Sequence, residues 1–370
     1  MDFVFDVAEL APGLGKSVGI YNYAVNLFHH MLPRIGDGMR LHVACNRGGM
    51  VDFDPAGHPS VTRHLVLDDD KPGTRARQAW LRFGAQSFAR RVGAPGYFSP
   101  KGFIPGWFGP SFGLKTVAVL HDLIPLWYEE HQPGYFGRLE SLVVNNALMR
   151  TARHADELIV ISHATAQDVL SRVKRSPART HVIYNGVPFK APDPVHPLGG
   201  RPYMFAVSSA LPHKNAAVLL AAYQRYRART VEPLPLVVCG IDDPMQTGVT
   251  AVKGISDRQL HTYYAHADLF VFLSLIEGFG FPPLEALSHG TKVLCSDIPV
   301  MREVTAGGAR LVNPHDAAQI AEYMSDLLSV GTTTGAREEA AVQIAAKFDW
   351  DRCATQVLSV LAGDAKGMKS

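Results

Sequence analysis

Residues 274–303, SLIEGFGFPPLEALSHGTKVLCSDIPVMRE, decide the fold prediction. An apolar run, 267–273, comes before them, and a helical pattern that opens with two prolines and ends at Gly290 follows the Gly-Phe-Gly segment. This order predicts a buried strand, a tight loop and a helix. Gly278 and Gly280 would let the backbone turn sharply and approach a ligand, because no Cβ stands in the way. Prolines suit a first helical turn, where the amide has no intrahelical partner.

Two carboxylates flank this loop. The amides at the start of the helix, together with its positive end, predict a site for phosphate or another anion. Glu277 and Glu285 would repel an anion, but they can accept hydrogen bonds from neutral hydroxyls. We therefore expect sugar or ribose hydroxyls as their partners. The alternative is an amphipathic helix with two surface glutamates after an ordinary turn.

The stretch resembles the Glu-x7-Glu signature of the retaining GT-B glycosyltransferases of family 4, since Glu277 and Glu285 have the required spacing. The resemblance implies that Glu277 lies at the donor sugar as a catalytic residue and that Glu285 binds the ribose of a sugar nucleotide. It also implies that the loop and the start of the helix hold the sugar hydroxyls and the diphosphate. The donor-binding residues implied there are Gly278, Phe279, Gly280, Phe281 and Leu284.

Length and pattern predict two α/β domains. A chain of 370 residues exceeds the ~250 to 300 residues at which single cores stop growing. Strand-like runs alternate with helical patterns in both halves, which is typical of parallel sheets. The family resemblance implies the GT-B fold, with two Rossmann-like domains facing a cleft. We expect an N-terminal acceptor domain at 1–190, a linker rich in proline and glycine at 191–202, a sugar-nucleotide-binding domain at 203–348, and a C-terminal helix, 350–364, that crosses back to the N-terminal domain.

Composition excludes several classes of protein. A net charge of +2 without a recognisable basic module argues against a nucleic-acid partner. The four cysteines stand far apart, and the sixteen histidines show no His-Glu-x-x-His spacing, so we expect buried free thiols, no metal site and no cofactor. The N-terminus lacks a signal-peptide pattern, and no apolar run reaches ~18 residues. These features predict a cytoplasmic protein.

A glycine-rich segment, residues 12–19, follows the first predicted strand and precedes a helix. Such a turn approaches phosphate in doubly wound folds. It is not a P-loop, because Leu10 stands where that motif requires glycine. The family resemblance implies that Gly15, Lys16, Ser17 and Gly19 contact the donor diphosphate. The alternative is a simple turn with a solvated lysine.

His121 and Asp122 follow the predicted strand 115–120, at the edge where parallel sheets bind ligands. The run 119–126 resembles a segment of the mannosyltransferase-like members of the family. The resemblance places His121 beside the donor sugar, where a neutral imidazole can both donate a hydrogen bond to a hydroxyl and accept one. Asp122 and Trp107 are assigned to the acceptor side. Alternatively, His121 closes the strand and Asp122 caps the next turn.

In the second half, the loop 208–215 resembles the family segment that ends in Arg-Lys-Asn. The resemblance implies that Lys214 neutralises the departing diphosphate as a catalytic residue. His213 stands where the family has arginine, so part of the cationic clamp is altered. Ile255 is the residue implied to contact the nucleotide base. A solvated lysine at a helix start is the alternative for Lys214.

Residues 71–115 carry eight Lys or Arg and no acidic residue, and they include aromatic residues such as Trp80, Phe83 and Phe88. A basic helix with aromatics can lie on an anionic membrane surface, where a lipid-linked acceptor would be found. The alternative is a helix that packs on the sheet and keeps its arginines in solvent.

These expectations converge on a retaining hexosyltransferase. The resemblance implies transfer from a nucleoside-diphosphate sugar, with GDP-mannose or a GDP-deoxyhexose favoured, to a glycan or lipid-linked acceptor in bacterial lipopolysaccharide or other surface polysaccharide synthesis. Such an enzyme would be cytoplasmic or peripheral on the inner face of the membrane. Two alternatives stay open: a sugar-nucleotide epimerase with the GT-B fold, and an inactive sugar-nucleotide-binding subunit of a transferase.

Overall fold

The computed structural model describes residues 1–11, 18–71, 73–106, 109–111, 113–330 and 334–364. The chain forms two compact units, Met1–Gly186 with the chain from Asp349, and Val187–Phe348. Residues 191–202, expected as a linker, belong to the second unit. Asp193 attaches them there through an ion pair of 2.5 Å with Arg258 and through its amide, which donates to Thr262 Oγ1 at 2.9 Å.

The first unit contains a seven-stranded parallel sheet in the order β3-β2-β1-β4-β5-β6-β7. Its strands are β1 Asp2–Asp6, β2 Arg40–Asn46, β3 Val61–Leu67, β4 Gly96–Ser99, β5 Lys115–Leu120, β6 Glu157–Val160 and β7 Thr180–Val182. The strand predicted at 115–120 is present with the same bounds. Val4 and Phe5 of the interior strand β1 have no exposed surface, as expected for a parallel sheet covered on both faces.

Helices cover this sheet. They are α1 Val18–Met31, α2 Gly49–Asp52, α3 Thr74–Ala79, α4 Ala85–Arg91, α5 Ile124–His131, α6 Arg138–His154 and α7 His163–Arg172. A π-helical turn, Trp80–Gly84, joins α3 to α4. Trp80 and Phe88 are buried with ring centroids 5.8 Å apart, so this helical segment packs on the sheet, as the structural alternative for residues 71–115 predicts.

The second unit contains a six-stranded parallel sheet in the order β10-β9-β8-β11-β12-β13. Its strands are β8 Met204–Val207, β9 Leu236–Cys239, β10 Val249–Val252, β11 Leu269–Phe272, β12 Val293–Ser296 and β13 Ala309–Val312. Its helices are α8 Ala216–Arg229, α9 Asp257–His266, α10 Phe281–Ser288, α11 Pro299–Thr305, α12 Ala317–Ser329 and α13 Thr334–Lys347. The predicted α/β architecture with two Rossmann-like sheets is confirmed.

The last helix, α14 Trp350–Ala362, returns to the first unit, as predicted. Its Trp350 ring lies 5.7 Å from that of Tyr23 on α1. The indole also packs against Gly186, where an added Cβ would come within 2.3 Å of it. Asp349 caps the helix by accepting a hydrogen bond of 2.7 Å from the amide of Arg352.

Candidate functional site

The Gly-Phe-Gly loop, residues 278–280, connects β11 to α10. Gly280 has a φ of +94°, a left-handed conformation that glycine adopts without strain, and an added Cβ there would lie 2.2 Å from Met301 Cε. The two prolines fall in the first turn of α10, as predicted. The loop therefore needs glycine for both its backbone angle and its close packing.

Lys214 and Glu277 meet at the carboxyl ends of two adjacent strands, β8 and β11. The Lys214 ammonium donates a hydrogen bond to Glu277 Oε1 and lies 5.5 Å from the centre of the Phe272 ring. The two loops are also joined through the backbone, because the amide of Leu275 donates to the carbonyl of His213 at 2.7 Å. The predicted sugar residue and the predicted diphosphate residue are thus brought together as an ion pair.

His213 does not supply a second cation. Its side chain is buried, and burial, together with the neighbouring Lys214, lowers its pKa to about 4. The imidazole is therefore neutral at pH 7, unlike the arginine of the family segment. Charge in this turn comes from Lys214.

Glu285 lies on α10 against α9. Burial raises its pKa to about 7, and the Tyr264 hydroxyl only partly offsets that effect. Asp257 raises the pKa further and Lys190 lowers it. The protonation of a carboxyl group with a pKa near neutral pH shifts when a ligand hydroxyl donates a hydrogen bond to it.

Other predicted donor residues have different surroundings. Phe279 packs on Phe281 and Phe348, with ring centroids 5.2 and 5.4 Å away, and is 2% exposed. Leu284 is wholly buried, so neither the Phe279 nor the Leu284 side chain is accessible to a ligand. Ile255 is half-buried, next to Ser256, which caps α9.

A contact between two histidines, one on α9 and one directly after α10, was not predicted. His261 Nδ1 and His289 Nε2 are 2.8 Å apart, and burial lowers the pKa of each to about 4. The ring of Phe189 lies 4.9 Å from that of His289. The sequence carries no signal for this contact, because His289 directly follows α10 and meets a residue 28 positions earlier in the chain.

In the first unit, His121 is buried and its Nε2 lies 2.7 Å from the carbonyl oxygen of Pro100. A carbonyl only accepts, so Nε2 carries the proton and Nδ1 keeps its lone pair. Burial lowers the pKa to about 4, so the ring is neutral. The expectation that it both donates to a sugar hydroxyl and accepts from one is therefore corrected, because its donor is already used.

Asp122 Oδ1 accepts a hydrogen bond of 2.9 Å from the amide of Ile124, the first residue of α5, so it stabilises the turn before this helix, as its structural alternative predicts. Gly19 lies in the first turn of α1. The remaining predicted residues, Gly15, Lys16, Ser17 and Trp107, lie outside the described residues.

A buried polar network at the end of β1 was also missed. Asp6, with no exposed surface, accepts hydrogen bonds from Trp80 Nε1 at 3.0 Å, from the Tyr97 hydroxyl and from Lys101 Nζ at 2.6 Å. Lys101 also lies 3.3 Å from Glu9. An aspartate within the apolar run of β1 was the visible signal, since a buried carboxylate needs partners.

Within the described residues, no cluster of three or more His, Cys, Asp or Glu is arranged to hold a metal ion. A search of the same residues finds no helix with the length and apolar character needed to cross a membrane. All four cysteines are free thiols; Cys45, Cys295 and Cys353 are buried, as predicted, whereas Cys239 is only half-buried.

Comparison with known proteins identifies the family. A model described as Glycosyltransferase Family 4 matches residues 19–190, and one described as Glycosyl transferases group 1 matches residues 191–344. The O-antigen chain mannosyltransferase RfbU of Salmonella typhimurium is 28% identical over 317 residues, covering 82% of this chain and 85% of that protein. The serotype-specific mannosyltransferase WbdA of Escherichia coli is 30% identical over 262 residues, covering 64% of this chain and 32% of that longer protein.

A solved structure agrees in fold. WaaG, a glycosyltransferase involved in lipopolysaccharide biosynthesis, has a TM-score of 0.68 at 16% identity, over 98% of this chain and 100% of that one. At this identity the likeness shows the fold alone. Two family models that together cover residues 19–344, on two Rossmann-like sheets, show that the chain belongs to the GT-B glycosyltransferases of family 4.

Proposed function

We propose that this glycosyltransferase moves a mannosyl or related deoxyhexosyl group from a GDP-linked donor to a hydroxyl of a glycan or lipid-linked acceptor, with retention at the anomeric carbon. The setting would be bacterial O-antigen or other surface polysaccharide synthesis. The observation that carries the proposal is the Lys214–Glu277 pair at the Gly-Phe-Gly loop. The choice of mannose rests on the RfbU and WbdA relatives, which are mannosyltransferases.

Lys214 is assigned to the diphosphate. Negative charge grows on the leaving group as the bond to the sugar breaks, and a cation already fixed at that point stabilises the transition state more than the bound substrate. The ion pair with Glu277 holds the ammonium in position before the donor arrives. With Lys214 and helix amides in this role, the reaction needs no metal ion.

The carboxylates are assigned to hydroxyls. Glu277 accepts from a hydroxyl of the donor sugar, and Glu285 from the ribose. Each bond favours the ionised form of the carboxylate. We also assign the Nδ1 lone pair of His121 to a sugar hydroxyl that donates to it.

The acceptor side is the first unit, and the protein would work in the cytoplasm at the inner face of the cytoplasmic membrane. Residues 71–115 support this, because exposed arginines such as Arg75 and Arg90 accompany an exposed Phe83. Basic and aromatic side chains together favour an anionic lipid surface.

Thermal unfolding with a panel of sugar nucleotides tests the donor. A ligand at a hundred times its Kd stabilises the folded state by about 2.7 kcal/mol. We expect GDP-mannose or a GDP-deoxyhexose to raise the Tm by several degrees, and UDP-glucose to raise it less. Equal shifts with UDP-linked and GDP-linked sugars would contradict the donor assignment. Incubation with donor alone should leave the sugar unchanged, whereas an epimerase would convert it.

A further inference from the structure

The strand order of the first unit reverses between β1 and β4, because β2 and β3 lie on one side of β1 while β4 to β7 lie on the other. Ligands of open parallel sheets bind beyond the carboxyl ends of the strands at such a reversal. Glu9 lies just after β1, and Lys101 lies just after β4. The proposed reaction assigns no role to either residue. We name these two residues, together with Asp6, the Glu9 site.

The loop that carries Glu9 is fixed to the sheet. Asn46, at the end of β2, has no exposed surface, and its Nδ2 donates hydrogen bonds to the carbonyl of Ala8 at 3.1 Å and to that of Leu10. Its Oδ1 accepts a hydrogen bond of 2.8 Å from the amide of Gly49. The backbone on both sides of Glu9 is therefore held in place before a ligand arrives, so binding there requires little ordering of the chain.

Glu9 has hydrogen-bonding capacity that the protein leaves unused. Its side chain is 11% exposed, and no residue in the described part of the chain forms a hydrogen bond with its buried Oε1. Burial has the largest effect on the pKa of Glu9 and raises it. Lys101 lowers this pKa, Asp6 raises it, and Arg77 lowers it with the weakest effect. A carboxylate in these surroundings favours a ligand that donates a hydrogen bond to it.

The ammonium at the Glu9 site is already paired. Lys101 Nζ lies 2.6 Å from Asp6 Oδ2 and 3.3 Å from Glu9 Oε1, so one cation is shared by two carboxylates. Lys101 is also only 4% exposed, which leaves little of it for an acidic ligand to contact. A neutral hydroxyl meets no repulsion at this site, whereas an anionic group would approach two carboxylates.

The Glu9 site lies on the same edge of the sheet as His121. His121 Nε2 donates a hydrogen bond to the carbonyl of Pro100, and the next residue, Lys101, pairs with Glu9. β4 lies between β1 and β5, and neighbouring strands are about 4.8 Å apart, so the ends of β1 and β5 are about 10 Å apart. The proposed function places a hydroxyl of the donor sugar at His121. A group beside Glu9 is then one sugar ring farther along the edge, where the acceptor sugar would lie.

We propose that Glu9 accepts a hydrogen bond from a hydroxyl of the terminal sugar of the acceptor, and that its charge selects a neutral sugar over a uronic acid. Lys101 acts as a positioning residue that holds the Glu9 carboxylate beside Asp6. This inference rests on the proposed transfer reaction, which makes the first unit the acceptor side. It adds a residue that determines specificity and a class of acceptor sugar.

NMR titration of the full chain with methyl glycosides, in the presence of GDP, tests the site without turnover. The probes are the methyl glycosides of mannose, glucose and galactose, each compared with the uronate that differs from it only at C6. We expect at least one neutral glycoside to bind, and its uronate to bind at least about tenfold more weakly. In Glu9→Gln this ratio should fall below about threefold, because a neutral amide does not repel the acid.

Glu157→Gln is the matched control. It makes the same change at a half-buried glutamate that pairs with His181 at 2.8 Å, at the start of β6 and therefore at the opposite edge of the sheet. It should keep the tenfold ratio. The ratio compares two ligands on one protein, so a partial loss of folded protein does not alter it.

Three results would overturn the inference: no neutral glycoside binds, the uronates bind as tightly as their neutral parents, or Glu9→Gln and Glu157→Gln give the same ratio. A ratio that falls in Glu277→Gln instead would also overturn it, because the glycoside would then occupy the donor sugar site. Since these readouts need no transfer, failure of the proposed reaction is seen separately, as binding of the glycosides without any product from GDP-mannose.

Discussion

Lys214 is paired with Glu277, so an incoming diphosphate must compete with a carboxylate for its ammonium. Because His213 is neutral at pH 7, Lys214 is the charged member of this turn. Removal of the Lys214 side chain should therefore lower the rate of the chemical step much more than the stability of the fold.

We predict that Lys214→Ala lowers kcat by about 10² to 10³, the range for loss of one donor that stabilises transition-state charge. Lys253→Ala is the control, because Lys253 forms a comparable ion pair with Asp242 in the same unit. Steady-state kinetics would show near wild-type turnover for the control. Wild-type kcat in Lys214→Ala would refute the role assigned to it.

Glu285 should make donor affinity depend on pH. With a pKa of about 7, it is mostly protonated at pH 6 and mostly ionised at pH 8, and only the ionised form accepts two hydroxyls. Calorimetry should show GDP-mannose binding about tenfold tighter at pH 8 than at pH 6. The diphosphate of this donor has no group that titrates in that range.

The matched variant is Glu285→Gln, which cannot ionise and should bind with the same affinity at both pH values. A wild-type affinity that does not change between pH 6 and 8 would mean that Glu285 does not meet the ribose.

His121 should contribute to acid sensitivity. Its folded pKa of about 4 lies below the ordinary value of 6.5, so the unfolded chain binds a proton first as pH falls. The stability from the neutral ring is complete above pH 6.5 and is lost toward pH 4. His121→Gln should therefore lose roughly 2 kcal/mol less stability than wild type between pH 6.5 and 4.5.

Denaturant unfolding of both proteins at the two pH values measures this difference. As pH falls, the buried histidines of the second unit lower the stability and Glu285 raises it. Both effects are the same in the two proteins, so they cancel in the comparison. Parallel losses in wild type and variant would show that His121 is not a buried neutral group.

At the scale of elements, the loop before α10 depends on one glycine. Gly280→Ala would force a Cβ against Met301 at a φ of +94°. We predict a loss of about 2 to 4 kcal/mol, because strain and overpacking add. Gly254→Ala provides the comparison, since Gly254 has a φ of +65° with no atom within 4 Å of an added Cβ.

The comparison variant isolates backbone strain, which costs about 1 kcal/mol. Chemical denaturation of the second unit measures both losses. Equal losses in the two variants would show that Met301 moves aside at little cost.

The loop-to-helix transition could be read from sequence because two glycines permit a sharp turn and two prolines favour the first turn of a helix. The His261–His289 contact could not, because it joins α9 to α10 and depends on how they pack. The Asp6 network likewise joins β1 to residues 74 and 95 positions away. Buried polar partners are set by tertiary packing, which periodicity does not report.

At the scale of the whole molecule, alternating strand and helix patterns were sufficient to predict two parallel sheets. The return of α14 to the first unit came from family resemblance, and its packing on Tyr23 explains it physically. Composition placed a linker at 191–202, because prolines there suggested an unpaired segment. In the structure, Asp193 of this segment forms polar contacts with α9.

The measurement that tests the central claim most directly is NMR analysis of the product formed from GDP-mannose with a panel of glycan and polyprenyl-linked acceptors. Retaining transfer at the Lys214–Glu277 site predicts an α-linked mannoside from wild type and almost none from Glu277→Gln, although that variant stays folded. A β-linked product, or wild-type yield from Glu277→Gln, would contradict the account. So would GDP-mannose binding without transfer to any acceptor in the panel, the behaviour of a binding subunit.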